Sequence, residues 1–202
     1  MNTEEKESFS LARELYDIIE ILVVAACIVL ILYTFAARLC RVDGGSMDVT
    51  LADGQMLVVS NINYTPKYGD IIVFHQTSSG IGLNEPIVKR VIATGGQTID
   101  IDFTTWTVTI TDKDGTSRVL NEDSYRYLDC GYATRLSDWD YPLYVPEGYL
   151  FVMGDNRNNS SDSRSGWVGL VDERRVLGKA LVRLTPLSKF GILKTDLGTE
   201  TE

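Results

Sequence analysis

From Ile21 to Ala37 the chain runs 17 residues without a charge, and Ile18 and Ile19 extend the run past Glu20. Nothing else in the sequence constrains the fold as strongly. About 20 residues rising ~1.5 Å each cover a hydrocarbon layer of ~30 Å. The segment therefore predicts a single membrane-spanning helix over 18–38, with Glu20 and Arg38 reaching the headgroups. A helix in a soluble core would keep a polar stripe, and this one is apolar all round. A cleaved export signal needs a basic leader, whereas residues 1–20 carry six acids against Lys6 and Arg13. Thr34-Phe35-Ala36 still offers a small-x-small cleavage site, so that alternative stays open. Lys6 and Arg13 on one side and Arg38 and Arg41 on the other leave the sidedness undetermined by charge.

Beyond Arg41 the pattern changes to short β-rich runs separated by turn formers. "GQMLVVSNINY", "GDIIVFHQ", "EPIVKRVIAT", "GYLFVMGD" and "VLGKALVRL" read as strands. In "TTWTVTITDKDGTSRVL", Trp106, Val108 and Ile110 alternate with threonines before a turn at Asp114-Gly115, which is a hairpin signal. One helical turn is expected near Asp172 to Arg175. Residues 121–144, rich in aromatics and turn formers, read as an excursion from the main sheet. With 202 residues, 44% hydrophobic, the chain suits one ordinary domain plus the apolar segment. A net charge of −9 argues against nucleic acid as a partner. Cys27, Cys40 and Cys130 show no C-x-x-C spacing, and with His75 the single histidine they are too few for zinc. Three free thiols and a Cys40–Cys130 disulfide both remain open.

A lone serine stands just past the apolar run, in "VDGGSMDVTL" (42–51). A serine hydroxyl is a poor nucleophile without a base beside it. His75 closes the apolar strand "IIVFH", where a histidine is more often structural. Lys89 is the other candidate, since serine–lysine pairs are a known variant of the triad. The period of "PIVKRVI" puts it on one face with Ile87 and Val91, and Arg90 on the other with Val88 and Ile92. Such a lysine is either an edge residue reaching water or a buried amine whose pKa desolvation drives down, as a general base requires. A polar stretch, "VMGDNRNNSSDSR" (152–164), completes the set. Its oxygen ligands lack EF-hand spacing, and Arg157 and Arg164 would repel a cation. Asp162 and Arg164 are placed to pair, and a serine hydroxyl is suited to holding a lysine amine.

Together these residues resemble the bacterial-type (type I) signal peptidases, membrane-anchored serine proteases that remove signal peptides after export. The motifs run in that family's order: "VDGGSMDVTL", "GDIIVF" (69–74), "VKRVIATGG" (88–96), "GDNRNNSSDSR" (154–164) and "GKA" (178–180). The long fourth motif is the specific one, and residues 101–144 match least.

The resemblance implies a mainly β, antiparallel-sheet catalytic domain with one N-terminal transmembrane helix. Its parts would be a cytoplasmic segment 1–17, the helix 18–38, an extracytoplasmic domain 41–195 and an acidic tail 196–202. Ser46 would be the nucleophile and Lys89 the general base, with Ser160 hydrogen-bonding the lysine amine. Asp162 and Arg164 would form a supporting ion pair, with Asp155 and Arg90 also structural. Met47, Leu51 and Val88 match positions lining shallow pockets for small substrate side chains. No metal or organic cofactor is implied. The expected partners are exported preproteins, the lipid membrane and the protein export machinery.

The chain departs from the family's pattern at Val49, where proline is usual, and at Gly95-Gly96-Gln97, where Pro-Gly-Asp is usual. It also has Gly44 where some relatives place an oxyanion-binding serine. Backbone N–H groups, chiefly that of Ser46, would then have to bind the oxyanion.

Three rival readings remain. A self-cleaving serine–lysine protein would need a DNA-binding helix-turn-helix in front. A non-catalytic membrane-anchored binding or assembly protein would have no use for an intact Ser46, Lys89, Ser160 and Asp162. A cell-surface adhesin-like β-domain would not explain a lysine in an apolar strand.

Overall fold

The structure is a computed structural model that describes residues 3–35, 37–76, 86–128 and 137–193, with the side chains of residues 3–12 and 31–35 outside that description. It divides into two compact units, Met1–Arg38 and Leu39–Glu202.

The first unit is the helix α1, Thr3–Phe35. Among the described residues no helix is long and apolar enough to cross a membrane. The expected span over 18–38 is corrected to that extent, for a simple reason. The described side chains begin with Arg13, Glu14, Asp17 and Glu20, and the second half of the apolar run falls largely outside the description. From Leu15 to Leu30 the large apolar side chains are exposed, Ile21 at 68%.

In the second unit the strands expected from period and turn signals are present within their segments, and those at 38–41, 98–102, 143–144, 171–172 and 191–192 come in addition. Together they are β1 (Arg38–Arg41), β2 (Met56–Ser60), β3 (Ile71–His75), β4 (Pro86–Ala93), β5 (Thr98–Asp102) and β6 (Thr107–Thr111). Then follow β7 (Ser117–Val119), β8 (Leu143–Tyr144), β9 (Tyr149–Met153), β10 (Val171–Asp172), β11 (Val176–Arg183) and β12 (Gly191–Ile192). Among the described residues one sheet runs β1-β2-β11-β3-β4-β9-β10, with β12 also on β11. A second sheet runs β7-β6-β5-β8. The pairings of the larger sheet from β2 to β10 are antiparallel. Register shifts in β11 and between Val91 and Ala93 of β4 curl it, since an extra residue bends a strand.

The hairpin β6–β7 turns at Gly115, whose φ of 86° suits glycine. Trp106 differs from its expected strand position. It sits in the preceding turn at φ 56°, buried, edge-on to Phe103. The single turn expected near Asp172 is a 3₁₀ turn, Glu173–Arg175, capped by the Asp172 carboxylate, which accepts from the Arg174 N–H. Cys130 lies outside the described residues, and with it the question of a Cys40–Cys130 disulfide.

Three apolar clusters form the core. One holds Met47, Leu51, Leu57, Ile71, Val73 and Val88. Another holds Ile99, Ile101, Val108, Ile110 and Phe151, the inward residues of β5 and β6 with part of β9. The third holds Ile72, Phe74, Val91, Leu150 and Val152, with Ile87 packed against it. Lys89 is paired in register with Ile72 and lies in sequence between Ile87 and Val91, so the third cluster supplies its apolar surroundings.

Candidate active site

The turn that carries Ser46 is built from its own backbone. The Asp48 N–H donates to Gly45 O at 3.1 Å and the Leu51 N–H to Met47 O at 2.8 Å. Two groups of the 154–164 loop fasten this turn from outside. The Asn156 N–H donates to Ser46 O at 3.1 Å, and Asn156 Nδ2 donates to Gly45 O at 3.1 Å. Gly154 makes this approach possible. A Cβ there would lie 2.4 Å from Ser46 O and 2.3 Å from Ser160 Oγ, so only glycine fits without a shift.

Lys89, on β4 and only 3% exposed, reaches this turn from the sheet. Its Nζ donates to Ser46 Oγ at 2.6 Å. Burial pushes the amine down to about 8; Asp162 and Asp155 pull it up, and Arg164 pushes it down. Desolvation wins because each nearby carboxylate already has its own cation. Asp155 takes Nε and Nη2 of Arg90 at 2.8 and 2.6 Å, and also accepts from Thr50 Oγ1 at 2.5 Å. Asp162 takes Nε and Nη2 of Arg164, both at 2.8 Å. Burial alone would push the Asp162 carboxyl up, but Arg164 and the Gly154 N–H hold it below the usual carboxylate range. A lysine beside two neutralised carboxylates feels mainly the loss of water.

The loop also holds a third buried pair, which the sequence did not suggest. Arg157 Nη1 and Nη2 donate to Glu122 at 2.8 and 2.5 Å, with both side chains at most 1% exposed. Tyr125 OH donates to the same Glu122, and Arg90 Cζ stacks 4.2 Å from the centre of the Tyr125 ring. The excursion at 121–127 is thereby tied to the Arg157–Glu122 and Arg90–Asp155 pairs. An acidic residue in an otherwise turn-rich run was the available signal, but its partner stands 35 residues away.

Other positions differ from expectation. Ser160 Oγ is buried and makes no hydrogen bond among the described residues, to Lys89 or to any other group. It favours the Asp162 carboxylate electrostatically without ordinary hydrogen-bond geometry. The lysine's bond goes to Ser46 instead. Leu51 is fully buried in the first core cluster and does not line the cleft, because the Met47–Leu51 turn folds it inward. Met47 and Val88 do line it. His75 is not the partner of Ser46, and its Nδ1 is buried without a partner among the described residues.

The cleft beside Ser46 and Lys89 measures about 150 Å³. Its wall includes Gln76 and Trp167, which sequence spacing did not bring together; Gln76 Nε2 donates to Trp167 O at 2.7 Å. Among the described residues no group of three or more His, Cys, Asp or Glu is placed to hold a metal ion.

The family model described as "Signal peptidase, peptidase S26" matches residues 15–185. The chain is 37% identical to a probable signal peptidase I-1 of Synechocystis sp., over 87% of this chain and 85% of that protein. It is 34% identical to a signal peptidase I of Bacillus licheniformis, over 96% of this chain and 100% of that protein. A crystal structure of a signal peptidase I from Enterococcus faecalis is 28% identical, covers 57% of this chain and 97% of that one, and has a TM-score of 0.42.

Proposed function

Since this chain belongs to the signal peptidase (peptidase S26) family and is a serine peptidase of the signal peptidase I type, we propose that Ser46 is its nucleophile and Lys89 its general base. The observation that carries this reading is the 2.6 Å contact between a buried lysine amine and a serine hydroxyl at the wall of a cleft. When the amine is neutral the same contact runs the other way, with the hydroxyl donating to Nζ. Ser46 Oγ then attacks the carbonyl carbon of the scissile peptide and Lys89 takes the hydroxyl proton. The resulting oxyanion is held by the Ser46 N–H, because Gly44 has no side chain to offer. Lys89 returns the proton to the leaving amine, and an ester links Ser46 to the signal peptide. A water then gives a proton to Lys89 and its oxygen to the ester carbonyl, releasing the peptide acid and restoring the serine.

Asp162–Arg164 and Asp155–Arg90 would fix the loop that holds the Ser46 turn, with Ser160 near the dyad in a positioning role. Met47 and Val88 would bound a cleft small enough to favour a small-x-small sequence before the cut. The apolar run from Ile21 to Ala37 would anchor the protein in a membrane, with residues from about 41 onward on the extracytoplasmic side. Anchoring confines Ser46 to the plane where an exported preprotein presents its cleavage site, which raises effective concentration without any new contact. The export machinery is the natural neighbour of such an enzyme.

The test is to incubate the detergent-solubilised chain with a labelled preprotein. The mature product should appear with the natural chain and be absent with Ser46→Ala. Equal processing by both would remove Ser46 as the nucleophile.

A further inference from the structure

We infer that Asp43 is a specificity-determining residue, favouring a lysine or arginine side chain in the substrate close to the bond being cut. This rests on the reading of the cleft as a peptide site. Asp43 lies on the segment leading from β1 into the Ser46 turn; it is exposed and is one of the residues lining the same cleft as Ser46 and Lys89. The backbone beside it is fixed: the Val42 N–H donates to Gln55 O at 2.8 Å, and Val42 O accepts from the Gly54 N–H at 2.9 Å. Nearby Asp53 is engaged, its Oδ1 accepting from the Gly44 N–H at 2.9 Å. Asp43 has no ion pair and no side-chain hydrogen bond among the described residues.

Among the described residues the rest of the wall is apolar or already satisfied. Val42, Met47, Ile87 and Val88 are aliphatic, and the Gln76 amide is turned toward Trp167 O. With the Lys89 amine neutral in its working form, the described residues of the cleft wall carry one carboxylate and no countercharge. Three chain steps separate Asp43 from Ser46, about 10 Å at full extension. An extended peptide advances ~3.3 Å per residue, so a basic side chain within about three positions of the scissile bond comes within reach. An exposed pair of this kind is weak, and a preference of about two- to fivefold is expected, falling as salt is raised.

The experiment uses three peptides that differ only in Lys, Gln or Glu at one position flanking the cut. For the natural chain the ratio of kcat/KM for the Lys peptide over the Gln peptide should be about two to five. It should fall to about one in Asp43→Asn, and Asp43→Lys should turn the preference toward the Glu peptide. Binding of the same peptides to the Ser46→Ala protein, followed by fluorescence anisotropy, should give the same order without turnover. A chain that cleaved nothing would therefore refute the proteolytic reading while leaving the role of Asp43 measurable. Equal ratios in the natural chain and Asp43→Asn, in both assays, would overturn the inference.

Discussion

Replacing Gly154 by alanine probes the join between the two halves of the site. The added methyl carbon would stand 2.3 Å from Ser160 Oγ, 2.6 Å from Ser160 Cβ and 2.4 Å from Ser46 O, whereas ordinary contacts begin near 3.4 Å. Turning the Ser160 side chain relieves the contact with Oγ alone, because its Cβ is fixed to the backbone. The Ser46 carbonyl cannot move so freely: it is backbone and accepts the Asn156 N–H at 3.1 Å. The turn must retreat by about 1 Å, which takes that bond beyond ordinary range and moves Ser46 Oγ relative to Lys89 Nζ. A misplacement of ~1 Å costs on the order of 100-fold in rate. Overpacking of this kind costs about 1–3 kcal/mol, a fall in Tm of roughly 3–10 °C for a chain of this size. The assay is kcat/KM on a signal-peptide substrate alongside a thermal melt. Adding Ser160→Gly relieves only the contacts with Ser160, so it should recover part of the stability and little of the rate. A Gly154→Ala protein that keeps half the natural kcat/KM would refute the reasoning.

Glu122→Ala leaves Arg157 buried without its carboxylate and should cost about 3–5 kcal/mol in urea unfolding; a loss below about 1 kcal/mol would mean that water reaches the pair. Val49 sits at φ 85° with its side chain 70% exposed. Val49→Gly should therefore raise stability by roughly 0.5–1 kcal/mol, as relief of left-handed strain outweighs the entropy of glycine. Val49→Pro should lower it, because proline is locked near −65°. Lys89→Met should stabilise the fold by about 3 kcal/mol at pH 7, where the natural chain must keep a proton on an amine whose pKa burial lowers to about 8. The unfolded chain binds that proton up to its ordinary pKa of 10.5, so the natural protein gains stability from pH 8 to 10.5 and the advantage of methionine fades over that window. Equal pH dependence of urea unfolding in the two proteins would contradict a lowered amine.

The strands were legible because period-2 alternation and glycine-marked turns act locally: Val108 and Ile110 point inward on β6 as their spacing requires. Lys89 was legible as an anomaly, a lysine between two β-branched aliphatics. What joins distant segments was not. Nothing in the sequence around Glu122 or Arg157 points to the other, and only the fold buries them as a pair. Gln76 and Trp167 meet across 91 residues. For Leu51, alignment along a motif says nothing of a turn that folds the side chain into the core. The expected Ser160–Lys89 bond failed for a related reason, since motif order does not fix which of two serines the amine will reach. Trp106 followed the strand's alternation in sequence, yet the turn before β6 takes it at positive φ.

The most direct measurement is the pH dependence of kcat/KM for the natural chain, with Lys89→Arg and Lys89→Ala as companions. If Lys89 is the base, the profile should rise through a pKa of about 8, the value to which burial lowers the amine. Lys89→Arg should be as inactive as Lys89→Ala, since a guanidinium does not release its proton. A rate still climbing at pH 10, or an arginine variant that cleaves, would remove Lys89 as the base and return His75 to consideration.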